Sequence, residues 1–218
     1  MDDKLQNYPT DEFNLPDDVL DKIQQNIEEI IMNFPVAQGD KLDVIKKINF
    51  MYTRTRHLAQ TDELTGLANR RSFDVHFDME FNRMQRYERN LTLAIADIDF
   101  FKKINDQYGH LCGDFILKEI AYLFFENFRK TDMVFRYGGE EFAVLLPETN
   151  DNGAKVALER LRKTVENYDF TYNGKHLNIT ISIGASSKKF ETMEEFFEQV
   201  DKALYKSKET GRNTLTFA

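Results

Sequence analysis

Near the N-terminus, apolar residues recur at steps of three and four in two stretches. The first runs through Leu20, Ile23, Ile27, Ile30 and Phe34, the second through Val44, Ile48, Met51, Thr55 and Leu58. This spacing predicts two amphipathic helices. Asp17 or Asp18 caps the first after Pro16, Pro35 and Gly39 break it, and the second starts near Asp40. Each helix also carries apolar residues outside its seam, among them Val19, Ile31, Ile45 and Tyr52. The pair therefore either packs as a hairpin on its own domain or joins a second copy in a small bundle. Residues 1–16 are polar and acidic, contain Pro9 and Pro16, and read as a frayed tail.

From Thr61 onward the texture changes. Residues 91–96 form a short apolar strand that ends on Asp97. A helix is expected over 113–130, with Phe115, Ile116, Ile120, Leu123 and Phe124 facing inward. Strands over 133–137 and 142–146 flank Gly138-Gly139, a hairpin signal. A helix over 152–168 follows. Strands over 170–172 and 176–183 then flank Asn173-Gly174, the strongest short-range hairpin signal. A last helix over 191–210 stops at Gly211, and residues 214–217 add a strand. The order α-β-α-β-β-α-β-β-α-β predicts an α+β domain, not a doubly wound parallel sheet. Three regions result: an acidic tail over 1–16, a helical hairpin or dimerisation segment over 17–60, and a globular domain over 61–218.

Composition narrows the chemistry. Among 218 residues, 41% are hydrophobic and 30% charged, which suits a soluble domain with a real core. The formal net charge of −8 argues against a nucleic-acid partner. A polyanionic substrate would have to be met by local Lys, Arg or metal. Cys112 is the only cysteine, so a disulfide within the chain is excluded and a reducing, cytoplasmic setting fits. The acidic start lacks a basic leader, and no stretch reaches the ~20 apolar residues of a membrane span.

Two segments carry candidate chemistry. Asp97-Ile98-Asp99 closes a buried strand, where a carboxylate is costly unless a cation or hydrogen bonds offset it. Only one of the two acids need face a site. Such hard oxygen ligands suit Mg²⁺ bridging to phosphates, or they are strand-end caps paired with Lys102 or Lys103. The second segment is Arg136-Tyr137-Gly138-Gly139-Glu140-Glu141-Phe142. Its glycines permit positive φ and close approach of a ligand, and its adjacent carboxylates repel unless a cation joins them. Otherwise it is a hairpin turn with a solvated shoulder. Lys206, Lys208 and Arg212 either complement a helix C-terminus or offset phosphate charge.

Together with Asp62-Glu63-Leu64-Thr65-Gly66-Leu67-Ala68-Asn69-Arg70-Arg71 and with Ala203-Leu204-Tyr205, Lys208 and Gly211-Arg212-Asn213, these segments resemble the GGDEF domain of bacterial diguanylate cyclases, in a Gly-Gly-Glu-Glu-Phe form. The resemblance covers about seven-tenths of the chain. It implies a palm-like α+β fold, related to polymerases and nucleotide cyclases, with a mainly antiparallel central sheet flanked by helices and preceded here by the helical hairpin. It implies that Asp97, the Ile98 carbonyl and Glu140 hold Mg²⁺, with Mn²⁺ as a substitute. Glu140, Glu141 and Lys102 would be catalytic. Asn105 and Asp114 would read guanine. Phe100 and Phe101 (through their backbone), Lys102, Lys208 and Arg212 would hold the phosphates of GTP. His110 would lie near the nucleotide or cap the helix that follows. The implied reaction condenses two GTP into cyclic di-GMP in a homodimer. Arg129, Asp132 and Arg160 match the family's product-inhibition site; Arg129 and Lys130 alternatively complement a helix C-terminus, and Asp132 begins a strand. The rival functions are a non-catalytic cyclic di-GMP receptor and a cyclase making a mixed GMP–AMP dinucleotide.

Overall fold

The structure, a computed structural model, describes residues 25–26, 28–29, 31–33, 42–49 and 60–218. The chain divides into two compact units, residues 1–57 and 58–218. In the first, the described residues between 25 and 33 and all of 42–49 are helical, within the two stretches where helices are expected. An Asp43–Lys47 pair at 2.8 Å braces one exposed turn. The tail, the breaks at Pro35 and Gly39, and most of both apolar seams lie outside the described residues.

The second unit runs β1 (Ala68–Asn69), α1 (Arg70–Tyr87), β2 (Leu91–Ile98), α2 (Phe101–Tyr108), α3 (His110–Asn127), β3 (Met133–Arg136), β4 (Glu141–Pro147), α4 (Asp151–Glu166), β5 (Phe170–Tyr172), β6 (Lys175–Leu177), β7 (Ile181–Ser186), α5 (Met193–Glu209) and β8 (Leu215–Phe217). Six strands form one sheet in the order β1-β3-β4-β2-β7-β8, and β5-β6 is a separate hairpin. The three inner pairs are antiparallel and the two outer pairs parallel. This is the α+β architecture that the order of elements predicts, with a mixed sheet.

Side-chain alternation along β2 builds two cores. Ala94, Ala96 and Ile98 meet Ile116, Ile120 and Phe124 of α3 and Leu158 and Leu161 of α4. Leu91, Leu93 and Ile95 face the other way, onto Phe73, Phe77 and Phe81 of α1 and Phe196, Val200 and Leu204 of α5. With helices on both faces, β2 is buried along its whole length. Side-chain oxygens of Asn69, Asn150 and Thr192 accept backbone N–H bonds and start α1, α4 and α5.

Several elements differ from the sequence expectation. The helix expected over 113–130 is α3, three residues earlier at each end, and a separate helix α2 precedes it. Gly109, at φ 84°, breaks the two apart. Phe115 is only partly buried and packs on Tyr172. The strand expected over 176–183 is two strands: β6 pairs only with β5, whereas β7 joins the main sheet. Asn173 and Gly174 do form the tight turn, both with positive φ.

Candidate active site

The site forms where β2 runs out. In the β2–β4 ladder Asp97 lies directly opposite Glu141, so both carboxylates share the α1/α5 face, and the Ile98 N–H donates to the Glu140 carbonyl at 3.2 Å. From above, Lys208 in the last turn of α5 reaches Asp97 with its Nζ 2.7 Å from Oδ2. Asp97 is 7% exposed. Burial pushes its carboxyl above the ordinary range despite that ammonium. Burial, followed by the Asp97 charge, also raises Glu140 and Glu141. The Asp97 charge thus disfavours ionisation of both glutamates, Glu141 adds to this at Glu140 and Asp99 does so at Asp97, with Lys208 opposing the effect at each. Hard oxygen donors short of positive charge suit a divalent cation. Asp97, Glu140 and Glu141 are the carboxylates here that could supply such donors. Among the described residues, no three His, Cys, Asp or Glu side chains are already drawn together as a metal cluster.

Asp97 and Asp99 part company because the strand ends between them. Asp99 accepts from Thr180 Oγ1 at 2.7 Å, Ser182 Oγ at 2.6 Å and the Asn213 backbone N–H at 3.0 Å. It is a fully engaged structural acid, the cap reading of the two. Neither Lys102 nor Lys103 pairs with these acids; Lys103 lies over the Phe100 ring at 4.4 Å.

The chain then turns through Phe100, at φ 58°, into α2, whose start has no side-chain cap. Uncapped N–H groups at a helix start suit an anion. Phe100 is 49% exposed, and the Arg212 guanidinium lies 4.4 Å above its ring. Phe101 is buried, so only its backbone faces this region. Lys102 and His110 are exposed. His110 is the first residue of α3 and makes no capping bond, against the capping alternative. Asn105 packs on Gly113, where an added Cβ would lie 3.0 Å from Asn105 Cγ and 3.1 Å from Phe101 Cζ. A larger residue at 113 would displace the Asn105 amide from this contact. The native contact leaves Asn105 Oδ1 buried without a partner, near half-buried Asp114.

The Gly138-Gly139 turn works differently from the sequence expectation. Neither glycine has positive φ. A Cβ at Gly138 would lie 2.7 Å from Glu141 Oε2, so a larger residue there would push the end of the Glu141 side chain aside. The Tyr137 N–H donates to the Glu141 carbonyl at 2.8 Å, closing the turn. Arg136 braces it from behind, bonding the Gly139 carbonyl at 2.8 Å and Asp62 at 2.9 and 3.0 Å. Asp62 also accepts from the Thr65 N–H and hydroxyl. The motif at the start of the domain is thus the mechanical support of the acidic turn, a role its sequence did not disclose.

Gly184 in β7 was also silent in the sequence. A Cβ there would lie 2.6 Å from Leu204 Cα, and closer still to the Leu204 amide nitrogen and the Val200 carbonyl. The missing side chain lets α5 sit against the sheet, and Lys208 follows one turn later. A lone glycine inside an apolar strand is the signal that marks such an approach.

Away from this centre, Arg129, Asp132 and Arg160 line one open groove of about 510 Å³ between the end of α3 and the start of α4. Arg129 and Asp132 belong to a tight turn, in which the Arg129 N–H donates to Asp132 Oδ2 at 3.0 Å. The structure therefore brings together Asp97, Glu140, Glu141 and Lys208, sets Phe100 and Arg212 beside Asn105's helix, and keeps the Arg129 groove apart.

Residues 59–214 match the family described as diguanylate cyclase, GGDEF domain. The chain belongs to the GGDEF family. It is 43% identical over 164 residues to the diguanylate cyclase DgcP of Pseudomonas aeruginosa, covering 75% of this chain and 24% of the relative. Diguanylate cyclase A of Treponema denticola is 47% identical over 133 residues, 60% of this chain and 36% of that protein. The chain thus spans about a quarter to a third of these GGDEF relatives. Among solved structures, the coiled coil and GGDEF domain of DgcB from Caulobacter crescentus, in complex with c-di-GMP, superposes with a TM-score of 0.79 at 31% identity, covering 83% of this chain and 96% of that one. In the described residues no helix is long and apolar enough to cross a membrane.

Proposed function

We propose that this chain is a diguanylate cyclase: it condenses two GTP into cyclic di-GMP and two pyrophosphates, with Mg²⁺ or Mn²⁺, as a cytoplasmic homodimer inhibited by its product. The observation that carries this reading is the gathering of Asp97, Glu140 and Glu141 around one lysine, beside the uncapped start of α2. In each half-reaction the 3′-hydroxyl of one GTP attacks the α-phosphorus of the other, a P–O bond forms, the bond to the pyrophosphate oxygen breaks, and the hydroxyl proton is lost. Glu141 accepts or orients that proton. The α2 N–H groups at Phe101 and Lys102, with the Lys102, Lys208 and Arg212 cations, hold the triphosphate. Asp97, the Ile98 carbonyl and Glu140 would hold the metal, which would supply positive charge to offset that developing on the phosphoryl oxygens and on the attacking 3′-oxygen. The orphaned Asn105 Oδ1 and the Asp114 carboxylate suit the donor edge of guanine.

Each domain offers one nucleotide site, and the product is two-fold symmetric, so two domains must face each other. The N-terminal segment would supply the second copy at high effective concentration. Product bound by Arg129, Asp132 and Arg160 would hold the half-sites apart.

The test is incubation with GTP and Mg²⁺ and identification of the product by mass, for wild type and Glu140→Gln. Wild type should yield cyclic di-GMP and pyrophosphate, and the variant neither. The variant should melt no lower than wild type, because it removes a charge disfavoured by burial and by Asp97. Cyclic di-GMP binding without turnover would make the chain a receptor instead, and a mixed product from GTP and ATP would overturn the base choice assigned to Asp114.

A further inference from the structure

Gly211, Arg212 and Asn213 all have positive φ, at 114°, 64° and 45°. For Arg212 that conformation is strained, and it persists only if the surroundings hold it. Part of the hold is local: the Arg212 N–H donates to the Ser207 carbonyl at 3.1 Å. The rest comes from afar. The Asn213 N–H is fixed to Asp99, and its side chain is gripped by α4: Arg162 Nη1 donates to Asn213 Oδ1 at 2.7 Å, while Asn213 Nδ2 donates to Glu166 Oε1 at 2.7 Å.

Arg162 is 9% exposed, an unusual place for a guanidinium on a surface helix. Its Nε and Nη2 are engaged by Glu159, and Nη1 also meets Glu166 at 3.0 Å, so the fork is fixed from both sides before it reaches Asn213. Next to Asn213, Arg212 lies over Phe100 at the mouth of α2.

We propose that Arg162 is a positioning residue for the phosphate site: through Asn213 it locks the left-handed turn that aims Arg212 at the triphosphate. This rests on the assignment of Arg212 as a phosphate ligand. A lysine would not serve, because one ammonium cannot span Glu159, Glu166 and the Asn213 amide in a fixed plane.

The test uses the full chain with GTP and Mg²⁺, in a cycle of wild type, Arg162→Met, Arg212→Ala and the double variant, with thermal melting recorded for each. Arg162→Met should raise the KM for GTP about tenfold, the loss expected when a charged hydrogen bond ceases to order a ligand group. The kcat at saturating GTP should change far less. In the Arg212→Ala background the same substitution should have no further effect on KM. Should Arg162→Met fold poorly, Asn213→Gly keeps the left-handed backbone accessible, leaves Arg162 with both glutamates, and should give the same rise in KM. An equal effect of Arg162→Met with and without Arg212 would overturn the proposal, since Arg162 would then be a general brace of α4. So would an unchanged KM in both Arg162→Met and Asn213→Gly. If Arg212→Ala itself leaves KM unchanged, it is the phosphate role of Arg212 that fails, and the result is distinct from the other two.

Discussion

The seat of α5 on β7 sets the position of Lys208, and Gly184→Ala tests it. In the native contact a methyl at position 184 would meet Leu204 Cα at 2.6 Å, where ordinary van der Waals contact begins at 3.4 Å. The neighbours are backbone atoms, so no side-chain rotation relieves the clash. The helix must lift by roughly 1 Å, and inserting a methyl into such a packed seam typically costs about 1–3 kcal/mol. For a chain of this size that corresponds to a fall in Tm of roughly 2–12 °C. The lift also carries Lys208 away from Asp97, now 2.7 Å distant. A misplacement on the order of 1 Å at a reacting site can cost about a hundredfold in rate. Circular-dichroism melting and GTP turnover should therefore both fall. Because the obstruction is main chain, Leu204→Ala should not rescue the variant. A Gly184→Ala protein with wild-type Tm and wild-type turnover would refute the claim that this contact seats the helix.

Two further outcomes follow from the geometry. Burial alone would raise the Asp62 carboxyl, but hydrogen bonds from Thr65 and Arg136 outweigh it and hold it below its ordinary value of 3.8. A carboxyl depressed in the fold contributes stability above pH 3.8 that is lost as pH falls through its folded value, so Asp62→Asn should be less stable at neutral pH and show a shallower acid limb below about pH 4 in melting curves; parallel acid limbs would remove the Asp62–Arg136 brace from the account. Arg129→Ala should retain GTP turnover and lose inhibition by added cyclic di-GMP, since Arg129 lines the groove shared with Asp132 and Arg160, away from Asp97; superimposable inhibition curves would exclude that groove.

What the sequence determined by itself was local or came from matched motifs. Apolar runs bounded by turn signals, and the helical spacing of inward residues over 113–130, placed strands and helices of residues 61–218, because a buried element needs a run of apolar positions and a turn needs residues that bend the chain. Asn173-Gly174 specified its hairpin through two residues that tolerate positive φ. The site acids were named because motif spacing survives in the chain, whatever the fold does with it. The tertiary structure alone decided how those residues act. Asp97 and Asp99 are chemically alike and two residues apart. The end of β2 between them sends one to Lys208 and the other to Thr180, Ser182 and Asn213. Gly138 was read as conformational freedom, and its missing side chain leaves room for Glu141 Oε2, while Gly184 marks a close approach without naming the helix it admits. Asp62 with Arg136, 74 positions on, and Arg162 with Asn213, 51 positions on, meet only after the sheet has formed. Such pairings leave no periodic trace, because each partner's local surroundings are satisfied by many side chains and only the fold brings the right two into reach.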